Sequence, residues 1–127
     1  MSSTLHTDID PEALAALAEF PEDKPLHMLN YMRYAEMDPE TGKTGRETYK
    51  EYMEKATPFF AKIDARISFK ARPALTIIGP REEQLWDEML IVTYATKADF
   101  FKLIRMEGYP GDIRKKALVD SRIICCE

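Results

Sequence analysis

The stretch "MLNYMRY", residues 28–34, has the composition of a β-strand but offers no face to water. Alternate residues of a strand point to opposite faces, and both faces of this strand are largely apolar. Each face also carries one strongly polar side chain, Asn30 on one and Arg33 on the other. An antiparallel sheet with one wet face would alternate apolar and polar residues. The stretch therefore predicts a sheet covered on both sides, with Asn30 and Arg33 in separate environments.

Capping and turn residues place the other elements around this strand. Asp10 before Pro11 is typical of a helix start, and Thr44 with Glu47 fits a capping box. The same reasoning predicts helices at 11–19, 44–63 (with a kink near Pro58), 96–104 and a short basic one ending near 117. It predicts strands at 26–35, 86–94 and 118–125, two strand pieces at 65–70 and 75–79, and a turn at 79–84.

The order of these elements after the first helix is β-α-β-β-α-β, which predicts an α+β, ferredoxin-like antiparallel sheet with its helices on one face. The predicted organisation is an N-terminal helix and linker at 1–24, followed by one ferredoxin-like domain at 25–127. Helices cover only one face, so the other apolar face needs a second cover. We expect a second copy of the chain, giving a two-fold homodimer. The alternative is the N-terminal helix folded across that face.

Composition excludes several functional classes. The 127 residues carry a net charge of −4 with scattered Lys and Arg, and the densest basic cluster, 114–116, is too small for nucleic-acid binding. No apolar run has the length of a membrane span, and the N-terminal residues lack a signal peptide, so we expect a cytoplasmic protein. Adjacent Cys125 and Cys126 fit reduced thiols. No metal-ligand spacing occurs, and we expect neither metal nor cofactor.

Several segments together resemble the bacterial domain-of-unknown-function family 1330, of the dimeric α+β barrel superfamily. The resemblance is carried, over nearly the whole chain, by "PLHMLNYMRY", "GRETYKEYMEKATPFF", "IIGP", "WDEMLIVTYATKADFFKLI", "GY" and "ALVDSRII". It implies a ferredoxin-like homodimer, a dimeric α+β barrel with its ligand cleft between sheet and helices. It supplies no reaction, since the superfamily includes monooxygenases, cyclases, lactone isomerases and haem enzymes. The chain departs from the family pattern at "MEGYPGD", residues 106–112, which alters the rim of any pocket.

Three side chains are the catalytic candidates. Asn30 lies mid-strand, where its amide either makes a structural hydrogen bond or orients a substrate carbonyl or hydroxyl. Asp87 precedes an apolar run; it either pairs with Arg33 or Arg122 or, with a pKa raised by burial, serves as a general base. His27 is the candidate that titrates near neutral pH, with a surface or edge role as the alternative.

Five further side chains are predicted to bind substrate: Arg33, Tyr52, Trp86, Tyr94 and Arg122. A guanidinium can clamp a carboxylate or phenolate through paired donors. As alternatives, Arg33 fits a salt bridge to Asp87 or Asp120 or a solvated charge at the rim, and Arg122 fits an inter-strand or inter-subunit ion pair. The aromatic rings equally fit core or interface packing.

Two functional hypotheses follow from these residues. The first is a cofactor-independent enzyme, resembling monooxygenases, cyclases or isomerases, that acts on a small aromatic, polyketide-like or lactone-like molecule. The second is a non-catalytic, small-molecule-binding or regulatory homodimer whose polar insertions only fix strand register and the interface. A solvent-open cleft containing Asn30 and a carboxylate favours the enzyme, and a filled core favours the second hypothesis.

Overall fold

The computed structural model describes residues 5–81, 83 and 85–127, in which helices and strands follow the predicted order. Residues 1–4, 82 and 84, two of which belong to the predicted turn at 79–84, lie outside the described residues. The elements are α1 (Pro11–Leu17), β1 (Leu26–Tyr34), α2 (Gly45–Phe60), β2 (Ala65–Ala71), β3 (Glu88–Tyr94), α3 (Lys97–Arg105), α4 (Gly111–Ala117) and β4 (Leu118–Cys126).

The four strands form one antiparallel sheet in the order β2-β3-β1-β4. Each crossover skips one strand position: the one through α2 leaves a gap between β1 and β2 that β3 fills, and the one through α3 and α4 carries the chain from β3 past β1 to β4. The helices therefore lie on one face, which we call the core face, and the predicted α+β, ferredoxin-like fold is confirmed.

Alternation along β1 separates the core face from what we call the open face. Leu26, Met28, Asn30 and Met32 are buried on the core face, whereas the residues between them are only half-buried. Helical spacing supplies the opposing layer. The buried helix residues that pack on the core face are Tyr49, Tyr52, Ala56, Phe100, Leu103 and Ala117.

The N-terminal helix α1 packs on the core face and leaves the open face uncovered. Its buried Leu17 joins the main core cluster, and the chain just after it accepts a hydrogen bond from Lys97 Nζ to Phe20 O at 2.6 Å. The alternative in which α1 covers the open face is therefore wrong. One apolar row crosses that face, formed by Phe69, Ile91, Leu29 and Ile124 on four neighbouring strands.

Two local predictions were wrong. The chain at 75–79 is not a strand, because β2 pairs with β3 only as far as Ala71 and Pro73 has no N–H to donate. Leu75, Ile77 and Ile78 are 72%, 81% and 95% exposed. The helix α2 also ends at Phe60 rather than at 63, and it continues through Pro58 without a restart, since a proline this close to the helix end removes only one hydrogen bond.

Candidate functional site

A cleft of about 540 Å³ lies between the core face of the sheet and the helices α2, α3 and α4. The strands β1 and β3 form its floor, and one wall is the face of α2 that carries Tyr49 and Tyr52. Cavities of this size commonly hold small molecules. The cleft is a place where the fold can enclose a ligand. Its polar groups therefore determine which kind of ligand it can bind.

Asn30 lies on the cleft floor with both ends of its amide engaged. Its Nδ2 donates to Met28 O at 2.9 Å, and its Oδ1 accepts from Arg114 Nη2 at 3.3 Å. The side chain is buried, so both bonds satisfy groups that water cannot reach. The first bond fixes which way the amide faces, and the second holds the guanidinium of Arg114 in place.

Arg114 projects from α4 into the cleft and is its principal charge. Burial raises the pKa of the four cleft tyrosines, Tyr49, Tyr52, Tyr94 and Tyr109, and the positive charge of Arg114 partly opposes that rise at each of them. Across the described part of the chain, Arg114 forms no ion pair with a carboxylate. Arg114 was not predicted as a site residue and entered the prediction only as part of the basic cluster at 114–116. The sequence did contain a signal for this residue. Arg114 is three positions before the buried Ala117, and that spacing puts both side chains on the same, inward face of the helix.

The four tyrosines surround Arg114 with phenols that stay protonated near neutral pH. Burial raises the pKa of all four, and raises that of Tyr49 to about 12. Tyr52 and Tyr109 share a hydrogen bond between their hydroxyls. That bond raises the pKa of Tyr52 further and partly opposes the rise at Tyr109. The bond uses the proton of one hydroxyl, which leaves the proton of the other for a ligand.

The carboxylates that line the cleft stand at its mouth. Asp8 and Asp112 are both exposed, and Asp8 forms an ion pair with Lys115 of α4. The N-terminal segment that carries Asp8 is attached to β4, because Ser121 Oγ donates to His6 O at 2.9 Å. The segment at 7–9 therefore forms one rim of the cleft.

The structure brings three of the eight predicted site residues into the cleft: Asn30, Tyr52 and Tyr94. His27, Arg33 and Arg122 lie on the open face instead, because they occupy the alternate positions of β1 and β4. His27 Nδ1 lies 2.9 Å from Thr93 Oγ1. A regular β1 strand accounts for this separation, since His27 and Asn30 are an odd number of positions apart.

Arg33, Trp86 and Arg122 form one cluster on the open face around Asp120. The two guanidinium carbons lie 4.1 Å and 5.2 Å from the centre of the Trp86 ring, which also stacks on Tyr31. Asp120 accepts from Arg33 Nη1 at 3.3 Å and from Arg122 Nη1 at 2.7 Å. Both arginines are thus paired with a buried carboxylate.

Asp87 lies at the end of the sheet, outside the cleft lining. Its Oδ2 accepts from the Tyr34 N–H at 2.9 Å, and its own N–H donates to Met32 O at 2.8 Å. Both bonds continue the pairing of β1 beyond Glu88, the first residue of β3. The position suits a strand-end cap better than a base that reaches a ligand in the cleft.

Glu88, the next residue, is a buried carboxylate that the sequence analysis did not select. The Tyr34 hydroxyl donates to Glu88 Oε2 at 2.6 Å, Lys70 Nζ lies 3.2 Å from Oε1, and Arg46 Nη1 lies 3.7 Å from Oε2. Glu88 lies on the same face of β3 as the buried Leu90, and this alternation could have predicted from sequence that the Glu88 side chain is buried.

Neither a metal cluster nor a membrane-spanning helix occurs within 5–81, 83 and 85–127. No group of three or more His, Cys, Asp or Glu side chains there could hold a metal ion. The helices of these residues are too short or too polar to cross a bilayer.

Solved structures include two that match this chain over almost its full length. The RPA0582 protein of unknown function from Rhodopseudomonas palustris has a TM-score of 0.85 and 30% identity, over 97% of this chain and 96% of that chain. A structure of methylated RPA0582 protein gives 0.87 and 29%, over 98% and 96%. SnoaB, a cofactor-independent oxygenase from Streptomyces nogalater, gives 0.47 and 13%, over 82% and 92%. No protein-family model and no curated protein matches the chain.

Proposed function

The chain belongs to the family of the RPA0582 protein, and we propose that it is an enzyme that binds a small aromatic, polyketide-like or lactone-like molecule in the cleft and acts on an oxyanion of that molecule. The observation that carries the proposal is Arg114, a half-buried guanidinium that Asn30 orients and that pairs with no carboxylate among the described residues. Membership in domain-of-unknown-function family 1330, which the sequence resembles, is part of the same proposal.

An anionic oxygen is the ligand that best complements these groups. A guanidinium presents planar, paired donors, and a charge-assisted hydrogen bond is worth about 1.5–3 kcal/mol. The cleft phenols are neutral, because burial raises their pKa, and so they can donate hydrogen bonds as well. An enolate or phenolate oxygen at Arg114 therefore meets one cation and several O–H donors.

The chemistry that follows is proton transfer through a stabilised enolate. Solvent water at the open side of the cleft takes a proton from the carbon beside the carbonyl, and Arg114 holds the enolate oxygen that forms while Asn30 keeps the guanidinium in position. Tyr109 returns a proton to that carbon, and its phenolate regains a proton from water through the Tyr52 hydroxyl, to which it is hydrogen-bonded. Donors fixed in place before the reaction act without reorganisation, which is how oxyanion sites lower barriers.

A second candidate is a binding protein without catalysis, and the position of the carboxylates favours it. Asp8 and Asp112 are exposed at the cleft mouth, whereas a general base is most effective when its pKa is shifted toward the working pH. A protein of this kind would hold an anionic ligand at Arg114 and leave it unchanged.

The proposal includes a cytoplasmic homodimer that pairs through the open face. The apolar row on that face includes Phe69 and Ile124, which are 51% and 48% exposed and would be unusual in a soluble monomer. The cysteines of the described chain are free, which suits a reducing compartment. Replacing Ile124 by Glu should give a monomer in sedimentation at micromolar concentration, and the exposed-loop control Met37→Glu should leave the dimer intact. A monomeric wild-type protein would disprove the pairing.

Benzoylacetone, an aromatic 1,3-diketone, tests the proposed function directly. Its enolate has its own ultraviolet spectrum, so titration reports both binding and ionisation. We expect the protein to bind it and to lower its apparent pKa. Arg114→Gln should weaken binding about ten- to a hundredfold, the equivalent of one charge-assisted hydrogen bond. Lys116→Gln, which removes an exposed charge from the same helix, should change binding less than about twofold.

Deuterium exchange at the carbon between the two carbonyls separates the enzyme from the binding protein. Proton NMR in D₂O should show exchange faster than in buffer alone, and Tyr109→Phe should slow it with little change in affinity. Binding without faster exchange would favour the non-catalytic candidate. No binding of this diketone by wild-type protein would refute the oxyanion site.

A further inference from the structure

A second cavity, of about 490 Å³, lies beside the cleft beneath the N-terminal helix α1. Its lining is largely apolar, with Leu14, Leu17 and Phe20 from the N-terminal part of the chain facing Met28 and Phe100. The ferredoxin-like core alone does not form this cavity, because α1 is its roof. The cavity therefore exists only because this chain carries an additional helix.

The second cavity and the cleft are neighbours that share residues of their walls. Met28, Phe100, Arg114 and Ile123 line both, together with the N-terminal segment at 7–9. Arg114 thus stands where the two spaces meet, with phenols on one side and apolar side chains on the other. A ligand whose acidic oxygen lies at Arg114 can extend in either direction from that point.

We infer that the two cavities form one bipartite site, whose ligand has an acidic, ring-bearing head in the cleft and an apolar tail beneath α1. The inference rests on the proposed function and adds the substrate class, an acidic carbonyl or phenolic compound with an alkyl or acyl chain. The tail is apolar because the wall beneath α1 is formed by Leu14, Leu17, Phe20 and Phe100, whereas the polar lining residues belong to the segment at 6–10, to α4 and to β4. The head stays at the cleft because its donors surround Arg114 there.

A series of 1-phenylalkane-1,3-diones tests the inference, with benzoylacetone as its shortest member. Each added methylene that enters the cavity should tighten binding about two- to fourfold, until the cavity is full. Ala16→Phe, which places a ring in the cavity lining, should abolish the gain from longer tails and leave benzoylacetone binding unchanged. Ala15→Phe, at the neighbouring position of the same helix, which is exposed like Ala16 but does not line the cavity, should keep the gain.

The thiol of Cys125 gives a second readout that leaves α1 unaltered. Cys125 lines the second cavity, so in a Cys126→Ser background it is the remaining thiol of the chain. Its reaction with a disulfide reagent should slow at least fivefold with a long-tailed dione and less than twofold with saturating benzoylacetone. Affinity independent of tail length, or equal thiol protection by both diones, would overturn the inference. Failure of benzoylacetone itself to bind would refute the proposed function, and the inference with it.

Discussion

The hydrogen bond between Tyr34 and Glu88 should be a main polar contribution to the stability of the sheet. Glu88 has only 7% of its side chain exposed, and the Tyr34 hydroxyl donates to it at 2.6 Å. Burial is the main cause that raises the pKa of Tyr34, and the hydrogen bond to Glu88 adds to it. The phenol is therefore a permanent donor to a carboxylate that water hardly reaches.

The size of the effect follows from the exposure of each partner. A hydrogen bond to a buried charge contributes about 1.5–3 kcal/mol, so Tyr34→Phe should lower the free energy of unfolding by about 2 kcal/mol. Lys70 and Arg46 also approach Glu88, but their side chains are 56% and 52% exposed. Solvent screens such partners, so Lys70→Gln should cost less than about 1 kcal/mol.

A double-mutant cycle measured by urea unfolding at fixed protein concentration checks this assignment. Tyr34→Phe, Glu88→Gln and the double variant should give a coupling energy of about 1–2 kcal/mol. Lys55→Gln breaks an exposed ion pair with Glu51 and is the matched control, with a cost below about 0.5 kcal/mol. A coupling energy near zero, or a larger loss for Lys70→Gln than for Tyr34→Phe, would refute the reasoning.

Three further variants test backbone packing, acid stability and charge in the cleft. Gly45→Ala should cost at least about 1–3 kcal/mol in urea unfolding, since the added methyl would lie 2.6 Å from Ala117 O, whereas Gly111→Ala should fall within about 1 kcal/mol of wild type. The hydrogen bonds that Asp120 accepts lower its pKa despite its burial. The ionised carboxylate therefore stabilises the fold above about pH 4, and that contribution is lost on further acidification. Asp120→Asn should reduce the dependence of the free energy of unfolding on pH below about pH 4. Asn30→Asp should weaken enolate binding about a hundredfold in ultraviolet titration, because like charges about 6 Å apart at an effective dielectric of about 20 repel by about 3 kcal/mol.

The sequence predicted the fold well because the relevant signals are local. Asp10 and Thr44 cap their helices as expected, with side chains that accept from Glu12 N and Glu47 N. Alternation along β1 correctly predicted two apolar faces. Alternation failed in β4, where a register shift beside Arg33 interrupts the pairing with β1. Strict alternation would put Leu118 and Ile124 on one face, whereas a shift of one residue puts them on opposite faces.

The cleft was predicted only in part because its polar groups meet through tertiary packing. Asn30 was selected from its place in an apolar strand, but its partner Arg114 is 84 positions away on a helix that packs against α2. The same limit applies to Glu88, whose partners come from β1, β2 and α2. Local patterns identify which residues are buried polar groups, and only the topology decides which of them meet.

The arginines on the two faces of the sheet differ in their partners. On the open face, Arg33 and Arg122 both form ion pairs with the buried carboxylate of Asp120 and lie over the Trp86 ring. In the cleft, Arg114 contacts an amide and phenols, which stabilise a cation less than a carboxylate does. A half-buried cation without a carboxylate partner has lost part of its hydration without gaining an opposite charge. An anionic ligand would supply that charge, as the proposed function requires, and this is why Arg114, rather than Arg33, is the residue to test first.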